Sequence, residues 1–381
     1  MPHKQKLMEY FHRGSSSILD TLSDKKHSPD FAYARNHYLG SRLRIVCWIF
    51  ILLSPFWALF DHLLLPAEPL PELRLARLFF FGSLIVILLL SHWRLFARHQ
   101  TLLAAMLLLS PACFYAYLLF VTAPFELPEL GNYQFIPFLL VATLSIFPLT
   151  LLESLLVGCL VIIVQLYSFY VDATPTAYLI QQLWLLCALL VMALTANHFH
   201  LNLLLRLYRQ ATHDQLTGLL NRHALLDLMD SQEQNESRGH PMGIMLIDLD
   251  HFKKINDTYG HAVGDEVLRR FADLLRTHQK PTDRIARYGG EEFLLIRDVG
   301  NINALHAQAD AIRKATSTLS IQDFEGNAVQ CTVSIGVAIT GPERPLNRTI
   351  QAADEALYAA KRAGRNQVKS ADDPQLAIGT H

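Results

Sequence analysis

The stretch Arg287-Tyr288-Gly289-Gly290-Glu291-Glu292-Phe293 places two glycines and two carboxylates between apolar runs. Paired glycines permit a tight turn, because they enter positive φ without a Cβ clash. Two carboxylates on such a turn repel unless a metal ion, a basic side chain or water lies between them. A second acidic group follows the apolar residues 244–247, which read as a buried strand ending in Asp248-Leu249-Asp250. Strand alternation puts Asp248 and Asp250 on one face. Asp250 can cap the helix that follows, whereas Asp248 has no such structural account, and a buried ionised carboxylate needs a partner. If a hairpin around Gly289 and Gly290 lies beside this strand, three or four carboxylates converge. Hard oxygen donors of this kind select Mg²⁺ or Mn²⁺. His213, His223, His251 and His261 are scattered, so no His or Cys set suits a softer metal. Lys361 and Arg365 stand four apart on a helix stopped by Gly364. That spacing suits a basic helix end facing the macrodipole and equally a clamp on a polyphosphate.

The elements that must position these groups follow from local pattern. Residues on either side of the glycine pair read as strand, turn and strand, with Glu291 and Glu292 at the tip. Gly260 and Gly264 break the chain, and Asp265 opens a helix whose Val267, Leu268, Phe271, Leu274 and Leu275 mark a core face. His213-Asp214 can cap a helix carrying Leu216, Leu219 and Leu220.

The preceding half is of another kind. The chain has 381 residues and is 51% apolar, with the apolar residues concentrated in its first half. Lys plus Arg is 33 against 34 for Asp plus Glu, so bulk charge offers no argument for nucleic-acid binding, and no nucleic-acid partner is expected. The five cysteines show neither metal spacing nor a disulfide framework and read as reduced, small hydrophobes. Apolar stretches at 45–60, 78–93, 102–125, 130–152, 154–171 and 173–197 approach or exceed the ~20 residues that cross a bilayer. About six transmembrane helices are expected. Lys25, Lys26, Arg35, Arg42 and Arg44 precede the first, Arg94 and Arg98 follow the second, and Arg206 and Arg209 follow the sixth. The positive-inside rule then puts both termini in the cytoplasm, with Arg74 and Arg77 arguing weakly against it. The start of the chain does not read as a cleaved signal peptide. No ionisable residue is expected deep in a span, and Glu153 falls in a tight turn, which disfavours a transporter. Pro55, Pro111, Pro137 and Pro148 can kink their helices and shape a shallow ligand pocket; ordinary membrane-helix prolines are the simpler account. Past the last span, Leu201, Leu204, Leu205 and Tyr208 recur at helical spacing and suggest a seam for a second copy.

Residues 214–369 resemble the GGDEF domain of diguanylate cyclases. The resemblance rests on DQLTGLLNR, DLDHFKKINDTYGHAVGDEVL, RYGGEEF, VSIGVA and ADEALYAAKRAGRN, in the family's order and approximate spacing. It implies an α+β, nucleotidyl-cyclase-like fold with a mainly antiparallel five-stranded sheet flanked by helices. It also implies condensation of two GTP into cyclic di-GMP and two pyrophosphates by a homodimer that binds Mg²⁺, with Mn²⁺ as the alternative. By position, Asp248, Glu291 and the Leu249 carbonyl would bind metal. Glu291 would assist loss of the ribose 3′-hydroxyl proton, and Glu292 would complete the acidic site. Backbone amides around Phe252 and Lys253 would cradle phosphates, with Lys361 and Arg365 on the terminal ones. Asn256 and Asp265 would read guanine, near His261. Two departures stand out. Glu291 occupies a position where the family more often has Asp. Lys280, with Asp283, replaces the Arg of the family's Arg-x-x-Asp product-inhibition site and lacks its planar fork, so no feedback residues are assigned.

The expected organisation is a cytoplasmic segment at 1–40 and a helical membrane domain at 41–198. A signalling helix at 199–212, the cyclase domain at 213–370 and a loose tail at 371–381 complete it. The implied setting is a bacterial cytoplasmic membrane, with lipid and a second copy as partners and cyclic di-GMP receptors downstream.

Overall fold

A computed structural model of the chain describes residues 20–24, 27–64, 70–122, 133–172, 175–233, 241–341 and 344–372. Most of the expected N-terminal segment and tail therefore lies outside the described residues. The chain forms two compact units, Met1–Leu207 and Tyr208–His381.

The first unit is all helix. Its elements are α1 (Pro29–Leu64), α2 (Leu70–His92), α3 (Gln100–Thr122), α4 (Ile136–Leu144), α5 (Leu151–Asp172) and α6 (Thr176–Thr212). Five of them, all but α4, are long and apolar enough to cross a membrane. The expected span at 130–152 is the exception: its described part holds only the nine-residue α4, about 14 Å at ~1.5 Å per residue. The path nonetheless runs from one end of the bundle to the other. Tyr133 bonds to Asp61 near the end of α1, whereas Glu153 pairs with Arg35 near its start at 2.7 Å. Pro148 and the turns around it prevent a continuous helix there. Thr150 and Glu153 start α5 with reciprocal bonds: the Glu153 carboxylate accepts from the Thr150 N–H at 2.7 Å, and Thr150 Oγ1 accepts from the Glu153 N–H at 3.3 Å.

Two ion pairs, one buried and one half-buried, lie toward the ends of the bundle helices. Arg35 with Glu153 and Arg77 with Asp61 sit at opposite ends of α1. Asn197 donates to Ser154 at 2.7 Å and ties α6 to α5, a typical use of small polar groups between apolar helices. α6 runs unbroken through the expected signalling segment, but the seam differs from the sequence reading. Leu201 and Leu205 are buried within the first unit, where Thr21 and Tyr38 bond to His198 and His200 of α6. Phe199, Leu203 and Leu207 form the exposed stripe instead. Of the cysteines, Cys47 and Cys331 are buried and Cys113, Cys159 and Cys187 are exposed, all as free thiols.

The second unit is a sheet covered on both faces. Its strands are β1 (Leu220–Asn221), β2 (Met242–Leu249), β3 (Arg284–Arg287), β4 (Glu292–Asp298), β5 (Val333–Ile339) and β6 (Val368–Ser370), in the order β1-β3-β4-β2-β5-β6. The sheet is six-stranded and mixed, which corrects the expected five-stranded one. Its four central strands pair antiparallel, and β1 and β6 add parallel edges of two and three residues. Edges this short leave no alternating pattern to read.

The helices are α7 (Arg222–Glu233), α8 (Phe252–Tyr259), α9 (His261–Thr277), α10 (Ile302–Ser317) and α11 (Leu346–Arg362). Met245, Ile247 and Leu249 pack in one core with Val267 and Phe271 of α9 and Ile312 of α10. Ile244 and Leu246 pack in the other, with Leu225 of α7 and Leu357 of α11. β2 is therefore apolar on both faces. The same alternation turns Asp248 toward the α11 side.

Two local expectations change. Residues 215–219 form a turn rather than a helix, because Gly218 takes φ +65° and the Asp214 carboxylate accepts from Thr217 instead of capping a longer helix. α9 starts at His261, directly after Gly260 at φ +83°, and Gly264 lies inside it. Gly264 lets α8 and α9 approach, since a Cβ would fall 1.9 Å from Asn256 Oδ1 and force that side chain to move.

Candidate active site

The acidic centre begins at the β2–β4 ladder. Asp248 is opposite Glu292, and the Leu249 N–H donates to the Glu291 carbonyl at 3.2 Å. The β3–β4 hairpin thus brings its tip to the end of β2, a convergence that the sequence left open. Asp248 is 5% exposed, and its carboxylate receives the Lys361 ammonium from α11 at 2.6 Å. Burial pushes the Asp248 carboxyl up, Lys361 pulls it down and Asp250 pushes it up again. Glu291 is half-buried; burial first, and then the neighbouring Asp248 charge, raise it above the usual carboxylate range. Asp248 and Glu291 therefore share one electrostatic site.

Of the other two acids, Asp250 bonds to residues outside this pair, and Glu292 adds its charge to the Glu291 side of the site. Among the described residues no group of three His, Cys, Asp or Glu side chains could hold a metal. Glu292 folds back over the turn: a Cβ on Gly289 would lie 2.4 Å from its Oε2. A side chain at Gly289 would have to displace the Glu292 carboxylate, while Gly290 faces open space.

Asp250 does not cap α8, whose N-cap is His251 at φ 56°. Its carboxylate accepts from Thr332 Oγ1 and Ser334 Oγ, each at 2.7 Å, and from the Asn366 N–H at 3.0 Å. It ties the β5 edge to the left-handed turn Arg365-Asn366, at φ 62° and 45°. α11 stops at Arg362, so Arg365 stands on this turn rather than on the helix with Lys361. Both cations still act on Asp248. Sequence spacing could not reveal the role of Asp250, because its partners lie 82 to 116 positions away. Asp250→Ala should loosen the Arg365 turn, since it leaves the fixed Asn366 N–H without its acceptor. We expect a stability loss of about 1–3 kcal/mol, read by thermal melts.

A second positioning contact joins the start of the unit to the turn. Arg287 Nη1 donates to both Asp214 oxygens at 3.2 and 3.1 Å, and its Nη2 and Nε donate to the Gly290 carbonyl at 2.7 and 3.2 Å. Burial acts to raise the Asp214 carboxyl, but the Thr217 bonds and the Arg287 charge prevail and hold it below its usual range. A depressed carboxyl adds stability that is present above its unfolded pKa, about 3.9, and is lost as pH falls through the folded value. Asp214→Asn should cost about 1–3 kcal/mol at neutral pH. The gap from wild type should close below about pH 4, in melting temperatures measured across pH.

The remaining sequence-assigned positions occupy the rim. Phe252 and Lys253 are the first residues of α8, so their N–H groups have no intrahelical acceptor; Phe252 is buried and Lys253 exposed. Asn256 of α8 packs against Gly264, half-buried Asp265 follows Gly264 in α9, and exposed His261 opens α9. Asp283 is 1% exposed and is engaged by Arg297 Nε at 2.9 Å and by the Lys280 N–H at 2.7 Å. Its carboxylate is thus committed inside the unit, while Lys280 is exposed.

Residues 211–367 match the family profile described as Diguanylate cyclase, GGDEF domain. The chain is 38% identical over 157 residues to Diguanylate cyclase DosC of Escherichia coli, covering 41% of this chain and 34% of that protein. It is 43% identical over 166 residues to Response regulator PleD of Caulobacter vibrioides, covering 42% and 36%. It thus spans about a third of the length of these curated relatives. Among solved structures, the GGDEF domain of DgcB from Caulobacter crescentus in complex with c-di-GMP is 36% identical, with 42% of this chain and 96% of that chain covered and a TM-score of 0.41.

Proposed function

We propose that this chain, which belongs to the GGDEF domain family through residues 211–367, is a membrane-anchored diguanylate cyclase. It condenses two GTP into cyclic di-GMP and two pyrophosphates. The observation that carries the reading is the Asp248–Glu291 pair at the hairpin tip, with Lys361 held against it.

The donor set fits a hard divalent cation, Mg²⁺ or Mn²⁺. Two like-charged carboxylates meet where the protein already places the Lys361 ammonium as a counter-charge. Asp248, Glu291 and Leu249 would hold the cation, which supplies charge stabilisation to attacking and leaving oxygens. Lys361 and Arg365 would then turn to the terminal phosphates and neutralise charge on the departing pyrophosphate. N–H groups at the start of α8 bind phosphate oxygens, as helix N-termini do. Asn256 and Asp265 face the guanine edge, where a carboxylate accepts from N1–H and N2–H₂ and would be left unpaired against adenine. Glu291 accepts the proton of the ribose 3′-hydroxyl. The freed oxygen bonds to the α-phosphorus of the second GTP as the bond from that phosphorus to pyrophosphate breaks. Glu292 holds the turn in place.

Each chain presents one such half-site, so turnover requires two copies. The exposed Phe199, Leu203 and Leu207 stripe on α6 supports pairing. The five long apolar helices support a bilayer anchor, and the Arg and Lys flanks support cytoplasmic termini. The purified full-length chain, incubated with GTP and Mg²⁺, should give cyclic di-GMP and pyrophosphate in a one-to-two ratio by chromatography. Bound GTP without product would overturn the assignment.

A further inference from the structure

The first unit contains a cavity of about 120 Å³, near the end of α1, that the nucleotide chemistry does not use. Its walls are largely aromatic: Trp57 of α1, Phe80 of α2, Phe114 of α3, and Tyr133 and Phe135 ahead of α4. These rings form a continuous lining, with centroids 5.0 Å apart for Trp57–Phe135, 5.6 Å for Phe80–Phe114 and 6.2 Å for Phe114–Tyr133. Pro111, inside the continuous helix α3, borders the cavity. A void near 150 Å³ with apolar walls admits one benzene ring, so this cavity has room for about one six-membered ring.

One cation lies on the wall. Arg77 is 8% exposed; its Nε and Nη2 are engaged by Asp61, and Nη2 also donates to the Tyr133 hydroxyl at 2.6 Å. The Tyr133 hydroxyl in turn donates to Asp61. Arg77 Nη1 donates to no acceptor among the described residues, and the guanidinium lies 5.5 Å from the Phe114 ring centroid. The cavity therefore offers a flat apolar slot and a free pair of N–H donors. Asp61 already balances the Arg77 charge, so a ligand anion would add an unpaired charge in an apolar setting. A neutral acceptor would not.

We propose that this cavity binds a neutral, planar, single-ring molecule carrying a carbonyl oxygen, the ring between the aromatic walls and the oxygen on Arg77 Nη1. This assignment is independent of the cyclase reading. The test uses the full chain in lipid nanodiscs, with binding followed by saturation-transfer NMR and corrected with empty nanodiscs. Acetophenone should bind saturably, and ethylbenzene, of matching shape without an acceptor, at least tenfold more weakly. Benzoate should not compete. 4′-Decylacetophenone binding more tightly than acetophenone marks a ligand drawn from the lipid phase; the reverse marks a freely dissolved one. Leu140→Phe, which fills the slot, should abolish binding. The paired change Asp61→Asn with Arg77→Gln should erase the preference for acetophenone over ethylbenzene. No saturable component, equal binding of the two ring probes by the wild type, or a preference for benzoate overturns the proposal without reliance on any variant.

Discussion

Glu291→Gln is expected to lower kcat about a thousandfold, within the range that loss of a positioned acid–base group produces, while the protein stays folded. Glutamine keeps the size of the side chain but can neither take the hydroxyl proton nor supply a second anionic oxygen donor beside Asp248. Stability should hold or rise, because Glu291 is half-buried next to a like charge that raises its carboxyl, and the amide removes that repulsion. The two readouts separate chemistry from folding: cyclic di-GMP formation under saturating GTP, and the melting temperature without metal. A variant with full turnover sinks the role given to Glu291. A variant that melts far lower shows that the charge pair supports the fold.

Gly336→Ala should have the largest effect on stability. Gly336 is paired with Leu246 of β2 and Lys369 of β6. A Cβ there would lie 2.0 Å from the Ala353 carbonyl oxygen and 2.4 Å from the Leu357 nitrogen. Both are backbone atoms of α11, so no rotamer change can relieve the clash and the helix must shift off the sheet. Overpacking a closed core costs about 3 kcal/mol, or a fall in melting temperature of about 6–12 °C for a unit of this size. Because α11 carries Lys361, the shift also draws the ammonium away from Asp248, and activity should fall with stability. A melting temperature within a degree or two of wild type (about 0.5 kcal/mol) would mean that β5 and α11 are not this close.

Much of this architecture is local and therefore legible from the chain. Residues 244–247 read as a buried strand because every side chain is apolar, and β2 is covered on both faces. The hairpin at Gly289 and Gly290 follows from strand, glycine pair, strand, and the helix stop at Gly364 from a residue that takes φ +110°. The long apolar runs fix five helices of the first unit by length alone. The resemblance placed Asp248 with Glu291 and Lys361, and the β2–β4 register and the Lys361 contact bring these residues together.

Partners distant in sequence were out of reach. Nothing near Asp250 announces that it will accept from Thr332, Ser334 and Asn366, because hydrogen bonds across a sheet leave no spacing in the sequence. The same holds for Asp214 with Arg287 and for the ion pairs Arg35–Glu153 and Asp61–Arg77. The parallel edges β1 and β6 are too short to carry a period, and Leu201 and Leu205 of the expected seam turned out to be buried within the first unit. The amino-acid order by itself determined most of the helices, the central strands and the hairpin turn, since side-chain periodicity and glycine placement act over a few residues, but not the edges β1 and β6 or the turn at 215–219. Only the tertiary structure decided which carboxylates face one another and which are spent on holding a loop, because that depends on side-chain direction at contacts the chain makes with itself a hundred residues apart (for Asp250 and Asn366, 116).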